Sequence, residues 1–161
     1  MLVPLRDTAG KLHSLQTITP DGEKRFKGRM KGCYHAIGSK PDDMLVIAEG
    51  YATGASIHEA TGWPVAVAFN AGNLGPVAMA LHKAYPALTL VMAADDDHHQ
   101  TEGNPGLTAA RQAALAVGGF VVAPQFPADR PPKATDFNDL AAIAGLSAVR
   151  TCFFEIEVLS C

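Results

Sequence analysis

Two short apolar runs that each end on acid constrain this chain more than anything else in it. Met44-Leu45-Val46-Ile47-Ala48 leads into Glu49-Gly50, and Leu88-Thr89-Leu90-Val91-Met92-Ala93-Ala94 leads into Asp95-Asp96-Asp97. Runs this short and this apolar read as strands buried on both faces, the state of a parallel sheet. Helical stretches alternate with them: 51–61 stopped by Gly62, 72–84, and 105–117 opened by Asn104-Pro105 and closed by Gly118-Gly119. Further strands are expected at 64–69 and 120–123. The alternation predicts an α/β domain over residues 41–150, with a parallel sheet of about four strands flanked by helices.

The acids at the strand ends are placed where such sheets bind ligands. Three adjacent carboxylates repel one another, and a hard divalent cation such as Mg²⁺ offsets that repulsion. Side chains alternate along extended backbone, so Asp95 and Asp97 share one side and Asp96 points away. If the two strands are neighbours, Glu49 lies close to the Asp pair. Carboxylates holding metal suit phosphoryl displacement, in which the ions clamp the attacking and leaving oxygens. The plainer alternatives are an exposed acidic turn and, for Glu49, an acid at a helix N-terminus stabilised by the dipole. His98 and His99 follow at once, either as added ligands or as exposed loop residues.

Residues 1–40 differ in kind. They read as a β-rich subdomain: 12–18 alternates with period two, Pro20-Asp21-Gly22 supplies a turn, 24–27 returns antiparallel, and 33–37 is a further short strand. The polar segment 39–43 is the expected boundary. These first forty residues hold eight Lys and Arg against three Asp and Glu, whereas the remainder is acidic and the whole chain carries a net charge of −3. Lys24, Arg25, Lys27, Arg29 and Lys31 form a basic stripe suited to a phosphate backbone. Charge on a protected edge strand is the alternative.

Toward the C-terminus, 125–134 holds three prolines and reads as an irregular loop. Lys133-Ala134-Thr135-Asp136-Phe137-Asn138-Asp139-Leu140 then forms a compact polar cluster entering a short helix over 136–144. It is either a capping arrangement or a cluster with Lys133 on a phosphate and Asp136 or Asp139 beside the metal. Residues 151–161 are expected to be a final strand or a tail.

Taken together, Glu49-Gly50-Tyr51-Ala52-Thr53, Ala68-Phe69-Asn70-Ala71-Gly72-Asn73-Leu74, Asp95-Asp96-Asp97 and Thr135-Asp136-Phe137-Asn138-Asp139-Leu140 resemble the Toprim domain, in the form found in plasmid and phage-type bacterial DNA primases. The likeness extends over about residues 2–145. It implies a Rossmann-type fold and metal-dependent nucleotidyl transfer, with Glu49 as the acidic catalytic residue or a metal ligand. Asp95 and Asp97 are then the ligands of Mg²⁺ or Mn²⁺. It also implies a single-stranded DNA template and nucleoside triphosphates as partners. Gly50, Asn70, Asn73, Lys133, Asp136, Asn138 and Asp139 fall at motif positions expected to contact nucleotide or support the site. A Toprim nuclease and a non-catalytic nucleic-acid-binding module are the alternatives; a topoisomerase needs a nucleophilic tyrosine, and Tyr34, Tyr51 and Tyr85 sit in packing contexts.

The sequence contains neither a zinc ribbon nor a Walker A motif, so such a zinc-ribbon or helicase domain is expected on a partner or on a longer chain. Cys33, Cys152 and Cys161 are scattered, without a CxxC pair, which suits reduced thiols. With no signal sequence and no apolar stretch near the roughly 20 residues a bilayer span needs, a cytoplasmic protein away from membranes is expected.

Overall fold

The computed structural model describes residues 1–97 and 103–159. Three strands, β1 (Leu2–Arg6), β2 (Leu12–Ile18) and β3 (Lys24–Gly28), form an antiparallel sheet in that order. Val3 and Leu5 of β1 and Ser14 and Gln16 of β2 point to its buried face. The polar pair is tolerated partly because the Ser14 hydroxyl donates to the Lys27 carbonyl at 3.0 Å.

The second sheet has five strands: β4 (His35–Ile37), β5 (Met44–Ala48), β6 (Val65–Val67), β7 (Thr89–Ala93) and β8 (Phe120–Val122), in the order β4-β6-β5-β7-β8. The four from β5 onward are parallel, as expected. The fifth is the correction: β4 pairs antiparallel with β6, His35 opposite Val67 and Ile37 opposite Val65. Strand 33–37 therefore joins the α/β sheet, and the turn at 39–43 does not separate the two sheets. An isolated bridge between Arg6 and Tyr34 connects them, and Val3 and Leu5 share an apolar cluster with Val67 and Phe69.

Helices α1 (Tyr51–Thr61), α2 (Ala71–Ala84), α3 (Pro105–Val117) and α4 (Phe137–Leu159) cover both faces of the larger sheet. Leu45, Ile47, Leu90 and Met92 pack with α2 and α3 residues such as Leu74, Val77 and Ala113. Val46, Ala48, Val91 and Ala93 point the other way, against Ile57 of α1 and Phe137, Leu140 and Phe153 of α4. The continuous apolar runs follow from this: each strand has a core on both sides.

The C-terminal expectation is also corrected. In place of a strand or tail, the helix runs on to Leu159, broken only at Gly145, whose φ of 82° divides it into 137–144 and 146–159. Val149 and Phe153, four residues apart, are both fully buried, and Phe153 packs edge-on to Trp63 and beside Phe137. That spacing is helical. Among the described residues no helix is long and apolar enough to cross a membrane.

Candidate active site

The chain leaves β5 for α1 on one face and leaves β7 for α3 on the other, so the carboxyl ends of these two neighbours form a topological switch point, the position at which such sheets bind ligands in a crevice. Ala48 lies opposite Ala93 in the β5–β7 register. Glu49 and Asp95 therefore begin the two loops that diverge around the crevice. Both are partly buried.

Their electrostatics follow from this placement. Burial, then repulsion from Glu49, Asp136, Asp97 and Asp139, pushes the Asp95 carboxyl up to about 8. Burial chiefly, with repulsion from Asp97 and Asp136, also raises Glu49, against the opposing pull of the Ala71 amide at the start of α2 and of Lys24. Asp95 Oδ1 is buried and accepts no hydrogen bond. An orphaned carboxylate oxygen within a group of mutually repelling carboxylates fits a divalent cation. Among the described residues no three His, Cys, Asp or Glu side chains close into a complete metal cage.

The acids of the run have different partners. The Asp96 carboxylate accepts from Asn104 Nδ2 at 2.6 Å and from Arg130 Nη1 at 2.5 Å. Asp97 stays beside the site, where its Oδ2 accepts from the Gly106 amide at 3.1 Å. Asn104 caps α3 through Leu107 and uses the same oxygen to accept from the Asp97 amide at 3.1 Å. Gly106 allows this closeness, since a Cβ there would stand 2.7 Å from the Asp95 carbonyl and 3.0 Å from Asp97 Oδ2.

The entry to α4 closes the crevice from the other side. Asp136 Oδ1 accepts from the Asp139 amide and Asp139 Oδ2 from the Thr135 amide, both at 2.8 Å, a reciprocal cap. Asp136 Oδ2 also accepts from the hydroxyl of Thr53, in the first turn of α1, at 2.8 Å. Ser56, one turn on, donates to Asn138 Oδ1 at 3.2 Å. Lys133 is exposed on the same loop.

Gly50 occupies the N-cap of α1 directly after Glu49. Asn70 caps α2, accepting from the Asn73 amide at 2.9 Å. Asn73 itself is buried, and its side chain is wholly engaged by backbone. It donates to the carbonyls of Met30, Cys33 and Ala68 and accepts from the Gly32 amide. It thereby fastens the β3–β4 connection onto α2.

The basic stripe splits by strand alternation. Lys24 and Phe26 lie on the inner face of β3, where Phe26 meets Phe69 edge-on with centroids 5.8 Å apart. Phe69, just past β6, holds a φ of 73°, an uncommon conformation for a bulky residue. Arg25 and Lys27 take the outer face, Arg25 in an exposed pair with Glu23. Arg29 reaches His13 Nε2 at 3.3 Å and Cys33 Sγ at 3.9 Å. Lys31 lines a groove of about 400 Å³ at the start of α2 with Asn70 and Gly72. His98 and His99 lie outside the described residues.

Four residues to which sequence reasoning gave no role in the site border it: Thr53, quoted there only within a motif, Gly106, Arg130, and Asn104 in its contact with the acidic run. Asn104 was readable as a cap, but nothing local signals its second partner. Gly106 and Arg130 carry signals only in three dimensions.

Comparison with known proteins bears on the family and the fold. A family model described as "Toprim domain" matches residues 44–147. Two DNA primase TraC proteins of Escherichia coli are similar in sequence. One is 44% identical over 133 residues, covering 77% of this chain and 12% of the relative; the other is 42% identical over 150 residues, covering 88% and 10%. The chain thus spans about a tenth of the length of these relatives. In fold it resembles the primase fragment of the bacteriophage T7 primase-helicase protein, with a TM-score of 0.68 at 16% identity over 93% of this chain and 61% of that one. It also resembles the DnaG primase catalytic domain bound to single-stranded DNA, with a TM-score of 0.61 at 14% identity over 96% and 50%.

Proposed function

Because the chain belongs to the Toprim family, we propose that it is the catalytic domain of a DNA primase, transferring nucleotides onto a growing primer paired to single-stranded DNA with Mg²⁺ or Mn²⁺. The observation that carries this reading is the placement of Glu49 and Asp95 just past the ends of adjacent parallel strands, with a buried Asp95 oxygen that accepts no hydrogen bond and other carboxylates close enough to repel it. The 42–44% identity to primases named TraC supports the substrate class.

Asp95 and Asp97 would hold the cation, with Glu49 as a further ligand or as the proton acceptor. The bound cation would neutralise charge on the transferring phosphoryl group. The chain's own residues do the rest. Glu49, raised from the ordinary carboxylate range, is better matched to accept a proton from a primer hydroxyl near neutral pH than an exposed glutamate. Lys24 is the basic residue whose charge reaches Glu49, which suits it to a phosphate of the nucleotide or template. Lys133, Asn138 and Lys31, exposed around the crevice or beside α2, are proposed to contact nucleic acid or nucleotide, with the outer-face Arg25 and Lys27 adding general attraction. Asn70, Asp136 and Asp139 act by fixing the walls. A zinc-ribbon or helicase partner would supply template selection and movement along it.

Titration of Mn²⁺ into wild type and Asp95→Ala tests the site: equal affinity would remove the metal assignment. Incubation with single-stranded DNA and labelled nucleotides tests the reaction. Labelled oligomers support a primase, shortened DNA would make the chain a nuclease, and retained but unaltered DNA a binding module.

A further inference from the structure

We propose that Arg130 is a positioning residue that sets the gap between the acidic run and the entry to α4, and thereby the affinity of the site for a divalent cation. This rests on the metal-site reading above. The guanidinium lies between two segments that carry the acids. It donates Nη1 to Asp96 Oδ2 at 2.5 Å and Nη2 to the Asp96 carbonyl at 2.8 Å. It also donates Nε and Nη2 to the Ala134 carbonyl at 2.9 and 2.7 Å. The Asp96 amide closes the bridge by donating to the Thr135 carbonyl at 2.8 Å. Phe126 underlies the guanidinium, with its ring centroid 4.2 Å from Cζ.

Asp96 stands between Asp95 and Asp97, and Ala134 stands two residues before Asp136. Repulsion of Asp95 by Asp136 and Asp139 acts across the gap that Arg130 bridges. Without the bridge that repulsion would spread the two walls. Among the described residues the guanidinium bonds to Asp96 and to backbone carbonyls rather than to Asp95, so it would fix the walls without competing with a cation for Asp95. Only a planar fork makes these bonds together; a lysine offers a point charge and cannot span two carbonyls and a carboxylate.

The test is Mn²⁺ affinity of the full chain, followed by the electron paramagnetic resonance signal of free Mn²⁺. Wild type, Arg130→Ala, Arg130→Lys and Asp95→Asn are compared, with far-ultraviolet circular dichroism confirming the fold of each. The expected result is an affinity about 10- to 100-fold weaker in both Arg130 variants, with partial recovery of Arg130→Ala in millimolar guanidinium. Wild-type affinity in either folded Arg130 variant would overturn the proposal, and Arg130→Lys serves should Arg130→Ala fail to fold. If wild type binds Mn²⁺ no better than Asp95→Asn, the metal reading itself fails, which separates the two conclusions.

Discussion

Thr53 Oγ1 donates to Asp136 Oδ2 at 2.8 Å, joining residues 83 positions apart in the chain. The bond ties the first turn of α1, three residues after Glu49's neighbour Gly50, to the cap of α4. Thr53 is buried, so its loss leaves a carboxylate oxygen short of a donor in a region already crowded with acid. Thr53→Val keeps the shape and removes the hydroxyl. It should lower stability by about 1–3 kcal/mol in urea unfolding, and an unchanged midpoint would show that water replaces the bond.

The raised Asp95 carboxyl gives a pH dependence with a definite sign. Its value of about 8 in the folded chain lies above the roughly 3.9 of an unfolded aspartate. Between these values the folded state binds the extra proton, so the contribution of Asp95 to the stability of the metal-free chain is full below about pH 4 and is lost as pH rises toward 8. Asp95→Asn should therefore stabilise the metal-free protein by roughly 1–3 kcal/mol at pH 8.5 and hardly at all at pH 4. Mn²⁺ at a hundredfold excess over its dissociation constant should stabilise wild type by about 2.7 kcal/mol and leave Asp95→Asn unmoved. Thermal melts at the two pH values, with and without Mn²⁺, read all four cases.

Gly106 should resist even the smallest substitution. Alanine is the better helix former, so Gly106→Ala ought to favour α3 locally. Its Cβ would nevertheless press on the backbone of Asp95 and the carboxylate of Asp97. A displacement near 1 Å at a reacting centre costs about 100-fold in rate. Primer synthesis should fall by about that factor while the circular dichroism spectrum is retained, and a variant as active as wild type would show that the acidic run yields without consequence.

The two faces of β3 should behave differently. Lys24→Ala removes the charge that reaches Glu49 from the inner face, whereas Arg25→Ala breaks only an exposed pair with Glu23. Lys24→Ala should weaken binding of single-stranded DNA or nucleotide and reduce the salt dependence by about one phosphate contact. Arg25→Ala should have a smaller effect. Equal losses would point to general attraction by the whole stripe.

Much of the site was legible because its signals are local. The acid-tipped runs at 44–49 and 88–95 announced two buried strands, and Asn104 and Gly118 bracketed α3. What stayed hidden depended on contacts between distant segments. Asn73 looks like any polar residue in a first helical turn, yet its partners at Met30, Gly32 and Cys33 lie about 40 residues earlier. Arg130 sits in a proline-rich loop where a basic residue says nothing about what it grips. The segment 153–159 alternates weakly enough to suggest a strand, and only the burial of Phe153 against Trp63 and Phe137 discloses a helix.

The antiparallel β4 has a practical consequence for dissecting the molecule. The family match begins at Met44, but β6 depends on His35–Ile37 for one of its two hydrogen-bonded neighbours. A fragment trimmed to the matched region would bare the Val65–Val67 edge and uncover the apolar side chains of Val67 and Phe69 that Val3, Leu5 and Cys33 shield. Open strand edges recruit other chains. Such a fragment should therefore be sticky and poorly soluble, and the smallest useful piece for crystallisation or reconstitution must carry the first forty residues with it.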